Sequence, residues 1–137
     1  MVHEVDTPQG IARVLVQHAQ EPKGALVLGH GAGGSVSAPD LQAATRVALE
    51  EDLTVVLVEQ PYRVAGRRST PPAPRLDEAW LAVIAALELD LPLITGGRSS
   101  GARVACRTAA ATGSIGVLCL AFPLQPRGRS SGTLPPS

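Results

Sequence analysis

Strand-like and helix-like segments alternate over residues 25–122, which predicts an α/β fold with a mostly parallel sheet and helices on both of its faces. Three observations carry this reading. The apolar runs Ala-Leu-Val-Leu at 25–28 and Leu-Thr-Val-Val-Leu-Val at 53–58 have the length and composition of strands buried on both sides. Each is followed by a loop rich in Gly or Pro and then by a segment of helical character. Residues 95–103, Thr-Gly-Gly-Arg-Ser-Ser-Gly-Ala-Arg, set a Gly-x-Ser-x-Gly pattern between a short apolar run and a helix-forming one, the arrangement of a sharp strand–turn–helix.

The elements follow in order. Residues 2–5 and 11–16 read as two strands of a hairpin turning near Gly10, and Lys23-Gly24 marks the next turn before the strand at 25–28. After the glycine-rich stretch 29–34, Ser37 with Asp40 three residues later predicts an N-capped helix reaching about residue 51. The strand at 53–58 leads into an irregular segment, 59–74, rich in Pro, Gly and Arg. Leu76, Ala79, Trp80, Val83, Ile84 and Leu87 then recur at helical spacing. A third buried strand is expected at 91–95, a helix at 100–111 and a fourth strand at 115–122. One domain is expected over residues 1–126, and the Pro, Gly, Ser and Arg composition of 127–137 predicts a disordered tail.

Composition narrows the function classes. With 137 residues and 45% hydrophobic content, the chain can bury a core. Twelve basic residues balance 12 acidic ones, so electrostatics gives no case for nucleic acid or an anionic membrane. Tyr62, Trp80 and Phe122 are the only aromatic residues, too few for a base-stacking platform. Cys106 and Cys119 sit in apolar runs and read as free, buried thiols of a reducing compartment. The N-terminus lacks the basic and apolar regions of a signal peptide, and no apolar run reaches membrane-spanning length, so a cytoplasmic protein is expected.

Two motifs carry chemistry. In Gly97-x-Ser99-x-Gly101 the turn forces the central serine into a strained backbone, and glycines at its flanks keep the neighbouring chain from clashing. Ser99 is then the candidate nucleophile, and the backbone N–H of Ser100 a candidate oxyanion donor. The alternative is an ordinary strand-to-helix turn. Gly29-His30-Gly31-Ala32-Gly33-Gly34 has three readings: an oxyanion loop after the first long strand, a dinucleotide fingerprint (Gly29-x-Gly31-x-x-Gly34, with Glu59 where a ribose-binding acid would sit), or a structural turn around a hydrogen-bonded histidine. Residues 35–39 separate these glycines from the expected helix, which counts against the fingerprint, since its helix begins within the glycines. His30 is also a candidate substrate contact. Arg63, Arg67 and Arg68 lie in a loop at the carboxyl edge of the sheet, where guanidinium groups recognise carboxylate or phosphate; the alternative is a solvated loop. The chemistry calls for no cofactor and no metal. On such a sheet a catalytic triad runs serine, acid, histidine, yet residues 100–137 contain no Asp, Glu or His.

These segments resemble the α/β-hydrolase superfamily, and within it the dienelactone-hydrolase-like branch that includes testis-expressed protein 30 and NSL-complex subunit 3 type domains. The resemblance spans residues 10–126. It is carried by Leu28-Gly29-His30-Gly31-Ala32-Gly33-Gly34, by residues 59–67 and 76–80, by residues 96–105, and by Leu120-Ala121-Phe122-Pro123-Leu124. It implies an esterase- or thioesterase-like hydrolase acting on a small-molecule acyl substrate. Ser99 would attack, and the N–H groups of Ser100 and Ala32 would hold the oxyanion. The family continues past Phe-Pro-Leu with strands and helices carrying the acid and the histidine, and usually places histidine where Gln125 stands here. The expectation is therefore the N-terminal portion of a hydrolase, lacking its last strands and helices and turning over little, with an uncovered sheet edge that favours self-association. The competing expectations are a non-catalytic binding module that uses the arginine loop, and a dinucleotide-binding domain.

Overall fold

The computed structural model describes residues 1–120, so the expected tail and the segment Phe122-Pro123-Leu124 lie outside the described residues. In chain order the elements are β1 (Val2–Thr7), β2 (Gly10–Gln17), β3 (Gly24–Gly29), α1 (Pro39–Glu50), β4 (Leu53–Glu59), α2 (Pro61–Val64), α3 (Ala73–Leu87), β5 (Leu93–Arg98), α4 (Ser100–Thr112) and β6 (Gly116–Leu120). The strands form one sheet in the order β1-β2-β4-β3-β5-β6. β1 and β2 make the expected hairpin, closed at Thr7 opposite Gly10. β2 runs antiparallel to β4, while β4, β3, β5 and β6 run parallel. The sheet is thus mostly parallel with an N-terminal hairpin.

Helices cover both faces. On one, Trp80 and Val83 of α3 and Val104 and Ala105 of α4 pack with Val27, Val56 and Val58. On the other, Leu41 and Ala48 of α1 pack with Leu26, Leu28, Val55 and Leu57. Alternate residues of β3 and β4 therefore serve two cores, which is why both strands are apolar at successive positions. All of β3 is buried. β6 pairs with β5 alone among the described residues, and Val117 and Leu118 are partly exposed there. No helix among the described residues is long and apolar enough to cross a membrane.

Several local expectations are corrected. α1 starts at Pro39 with Ala38 at its N-cap and no side-chain cap; the Ser37 hydroxyl instead meets that of Ser35 at 2.8 Å. Proline at the first helical position sacrifices an N–H that would be unpaired anyway, so the helix starts without a serine cap. The segment after β4 is not wholly irregular, because Pro61 initiates the single turn α2. β5 begins later and runs further than residues 91–95, with Gly96 and Gly97 in register opposite Leu28 and Gly29 of β3. Both cysteines are exposed rather than buried, because Cys106 faces outward from α4 and Cys119 lies on β6.

Candidate active site

The carboxyl ends of β3, β4 and β5 lie side by side, and the candidate site is assembled there. Ser99 stands between the last residue of β5 and the first of α4, at φ 56° and ψ −115°. This is a positive-φ conformation that side chains resist and glycine accepts. The turn is close to its neighbours. A methyl group on Gly97 would lie 2.6 Å from the Gly29 carbonyl oxygen, and one on Gly101 would lie 2.6 Å from that oxygen and 2.7 Å from the His30 carbonyl oxygen. Both positions therefore exclude any side chain. The Ser99 N–H donates to the Leu120 carbonyl at 3.2 Å, and its own carbonyl accepts from the Arg103 N–H at 3.2 Å. Ser100 is the first residue of α4, so its N–H has no acceptor within the helix and lies at the positive end of the helix dipole. The Ser99 hydroxyl makes no hydrogen bond among the described residues, and Ser99 is half-buried.

The loop after β3 is fastened from inside. The His30 side chain is 3% exposed; its Nδ1 lies 2.9 Å from the Gly31 carbonyl oxygen, and its Nε2 accepts the Gln60 N–H at 3.0 Å. A backbone N–H can only donate and a carbonyl can only accept, so the proton sits on Nδ1 and the ring is neutral. Burial holds the His30 pKa below its ordinary value, partly opposed by the bond to Gly31. The Gly31 carbonyl also accepts the Gly34 N–H at 3.0 Å, closing a turn with Gly33 at φ 71° and leaving Ala32 exposed. Beside Gly31, the space a side chain would fill is closed by Ser99 Cβ at 3.3 Å. The loop carrying Ala32 therefore sits directly against the elbow carrying Ser99 and Ser100.

An ion pair that the sequence does not announce joins the elbow to α1. Arg98 Nε donates to Asp40 Oδ2 at 2.9 Å, bridging residues 58 apart. Asp40 looked like a capping residue, and the pattern of a local cap hides a long-range partner. Arg63, on α2, has a buried Nε that makes no hydrogen bond among the described residues, and its charge helps to lower the His30 pKa. Arg67 is exposed and lines a cavity of about 440 Å³ with Gln9, Gln60, Tyr62, Pro71 and Arg75. No residue of the elbow lines that cavity, so the structure sets Arg67 apart from Ser99.

No base reaches Ser99 among the described residues. His3 and His18 are exposed on and just past the hairpin strands, and β2 is three strands from β5, about 14 Å at normal strand spacing. Both nitrogens of His30 are already engaged, which leaves its ring without a group to offer a substrate. The dinucleotide reading is also corrected. α1 begins five residues beyond Gly34, so no helix N-terminus meets the glycines, and Glu59 is engaged by Arg13 at 3.3 Å. Among the described residues, no group of three or more His, Cys, Asp or Glu is placed to hold a metal ion.

Sheet order, elbow and loop together define a class, and comparison with known proteins agrees. A family model described as an alpha/beta hydrolase domain matches residues 22–133. The chain belongs to that alpha/beta hydrolase family. Among solved structures it is similar to XC6422 of Xanthomonas campestris, an α/β serine hydrolase without a lid: TM-score 0.78, 22% identity, 97% of this chain and 64% of that one covered. An α/β serine hydrolase homologue from Coxiella burnetii superimposes at TM-score 0.81 with 16% identity, covering 93% of this chain and 65% of that one. Dienelactone hydrolase from Anabaena variabilis gives TM-score 0.74 and 16% identity, covering 87% and 61%. At these identities the likeness shows the fold, and the chain spans less than two thirds of the length of each of these proteins. No curated protein matches the chain.

Proposed function

We propose that this chain carries the nucleophile half of a serine hydrolase of the esterase or thioesterase type, with a small-molecule acyl substrate. Ser99 attacks the acyl carbon, and the N–H groups of Ser100 and Ala32 stabilise the oxyanion. The observation that carries this is the backbone of Ser99, held at positive φ between two glycines that tolerate no side chain. Such strain persists only where surrounding structure enforces it, and it sets the hydroxyl at the mouth of a helix N-terminus. The contact between Gly31 and Ser99 supports the second oxyanion donor, since it brings Ala32 to the same place. His30 then acts as the fastener of the oxyanion loop and not as the base. Arg63, on α2 and coupled electrostatically to His30, is the remaining candidate anion contact, whereas Arg67 lines a separate cavity and is not assigned to the Ser99 site.

The chain by itself should turn over slowly. With no base on Ser99 among the described residues and no Asp, Glu or His after it, what is left is oxyanion stabilisation and binding. That residue of catalysis is roughly 10³–10⁴ above water but far below a complete triad. Hydrolysis of a short p-nitrophenyl ester or thioester by the purified chain should be weak and should drop to background in Ser99→Ala. Rapid turnover that survives Ser99→Ala would overturn the assignment of Ser99, and rapid turnover that depends on Ser99 would overturn the claim that the base is lacking. The lack of a base also favours a second reading, a binding module that keeps the hydrolase fold without its chemistry. A chain that binds an acyl ligand with equal affinity before and after Ser99→Ala, and shows no hydrolysis, fits that reading instead.

A further inference from the structure

The two cysteines, far apart in character from the candidate site, form a pair. Cys106 Sγ on α4 and Cys119 Sγ on β6 lie 3.7 Å apart, in van der Waals contact, and both residues are exposed. We propose that Cys106 and Cys119 are a reversible dithiol–disulfide site, oxidised by low-molecular-weight disulfides of the glutathione class. The geometry is favourable because a disulfide needs the sulfurs at about 2.05 Å, and side-chain rotation can supply most of an approach of about 1.7 Å. Exposure gives the small oxidant access to either sulfur.

The chemistry balances. The Cys106 thiolate attacks one sulfur of the small disulfide and expels a thiolate, leaving a mixed disulfide at Cys106. Cys119 loses its proton to solvent, attacks the Cys106 sulfur and expels the second thiolate. Two protein thiols give up two protons and two electrons, and one small disulfide becomes two small thiols. The order has a physical basis. Desolvation first, and the hydrogen bond to Cys106 second, raise the Cys119 pKa, so Cys119 holds its proton more tightly than an ordinary thiol and takes the resolving role.

The placement gives the bond a consequence. α4 begins immediately after Ser99, and Leu120, next to Cys119, accepts the Ser99 N–H. A Cys106–Cys119 disulfide staples together the two elements that meet at the elbow. This inference does not rest on Ser99 being a nucleophile, because it needs only the position of the two sulfurs.

The test treats the purified full chain with oxidised glutathione, removes it, alkylates any free thiol and measures intact mass and tryptic peptides. The expected product is lighter by two hydrogens, carries neither glutathione nor alkyl group, and yields the tryptic peptide of residues 104–107 joined to that of residues 108–127. Cys106→Ser and Cys119→Ser each retain one glutathione under the same conditions. The melting temperature of the oxidised wild type rises by roughly 10 °C, as expected for closing a loop of this length, and returns on reduction. Glutathione retained on the wild type, links between chains, or two alkylated cysteines would each overturn the proposal. A melting temperature unmoved by a confirmed Cys106–Cys119 bond would overturn the stapling role.

Discussion

The two loops that meet at the candidate site are held by different forces. After β5, the elbow is shaped by exclusion: Gly97 and Gly101 lie so near the backbone of Gly29 and His30 that no atom can be added, and Ser99 takes up the strain. After β3, the loop is shaped by attraction: a buried imidazole bonds the Gly31 carbonyl on one side and the Gln60 N–H on the other. Exclusion leaves a mark in the sequence, because only glycine satisfies it. Attraction leaves a weaker one, because a histidine beside glycines suits an oxyanion loop, a phosphate loop or a structural turn equally well. The two devices should also fail differently.

The largest effect should come from Gly101→Ala. Its methyl group meets two backbone oxygens at 2.6 and 2.7 Å, and the backbone must move to admit it. A loss of about 3 kcal/mol or more in urea unfolding is expected, a large share of a typical domain's stability. A loss below about 1 kcal/mol would mean the elbow is looser than the exclusion argument requires. His30→Ala comes next, because it leaves a buried N–H and a buried carbonyl less well paired. About 2 kcal/mol should be lost. The wild type should also lose stability as pH falls through about 6.5, the unfolded value for histidine, because the folded pKa is lower and the unfolded chain binds the proton first. In His30→Ala that contribution to the acid slope should vanish, and an unchanged slope would show that the ring is not the group responsible.

Ser99→Gly should act in the opposite direction. Glycine accepts φ 56° and ψ −115° without penalty, so a gain of about 1 kcal/mol in unfolding free energy is expected, whereas Ser99→Ala keeps the strain and should change little. Destabilisation by Ser99→Gly would contradict the idea that the elbow stores strain. The smallest effect belongs to Arg98→Gln. The Arg98–Asp40 pair is well aligned at 2.9 Å, but its side chains are 42% and 34% exposed, so solvent screens it and a loss of at most about 1 kcal/mol is expected. A larger loss would identify the pair as a main tether between α1 and the elbow.

Most of the fold could be read from residue pattern. The buried strands β3 and β4, the hairpin β1–β2 and the helices α3 and α4 follow from apolar runs and helical spacing. What escaped was mostly long-range. β5 extends into Gly96 and Gly97, which look like turn residues alone but are paired to β3 on one side and β6 on the other. The antiparallel placement of β2 against β4 depends on strand order, which local pattern does not encode. Asp40 pairs with Arg98 across 58 positions, and the cysteines that local hydrophobicity suggests are buried prove exposed and adjacent. At the site, the strained serine was foreseeable from its glycines, whereas the double engagement of His30 required knowing that Gln60 lies beside it.

Even without a base, Ser99 at the elbow should be the most reactive serine of the chain, and slow covalent labelling over hours addresses that directly. Incubating the wild-type chain with a fluorophosphonate and mapping the adduct by mass spectrometry should find one phosphonyl group on Ser99, with none in Ser99→Ala and undiminished labelling in Ser100→Ala. No adduct on Ser99, or adducts scattered over other serines at the same rate, would contradict the account and leave a hydrolase fold without hydrolase chemistry.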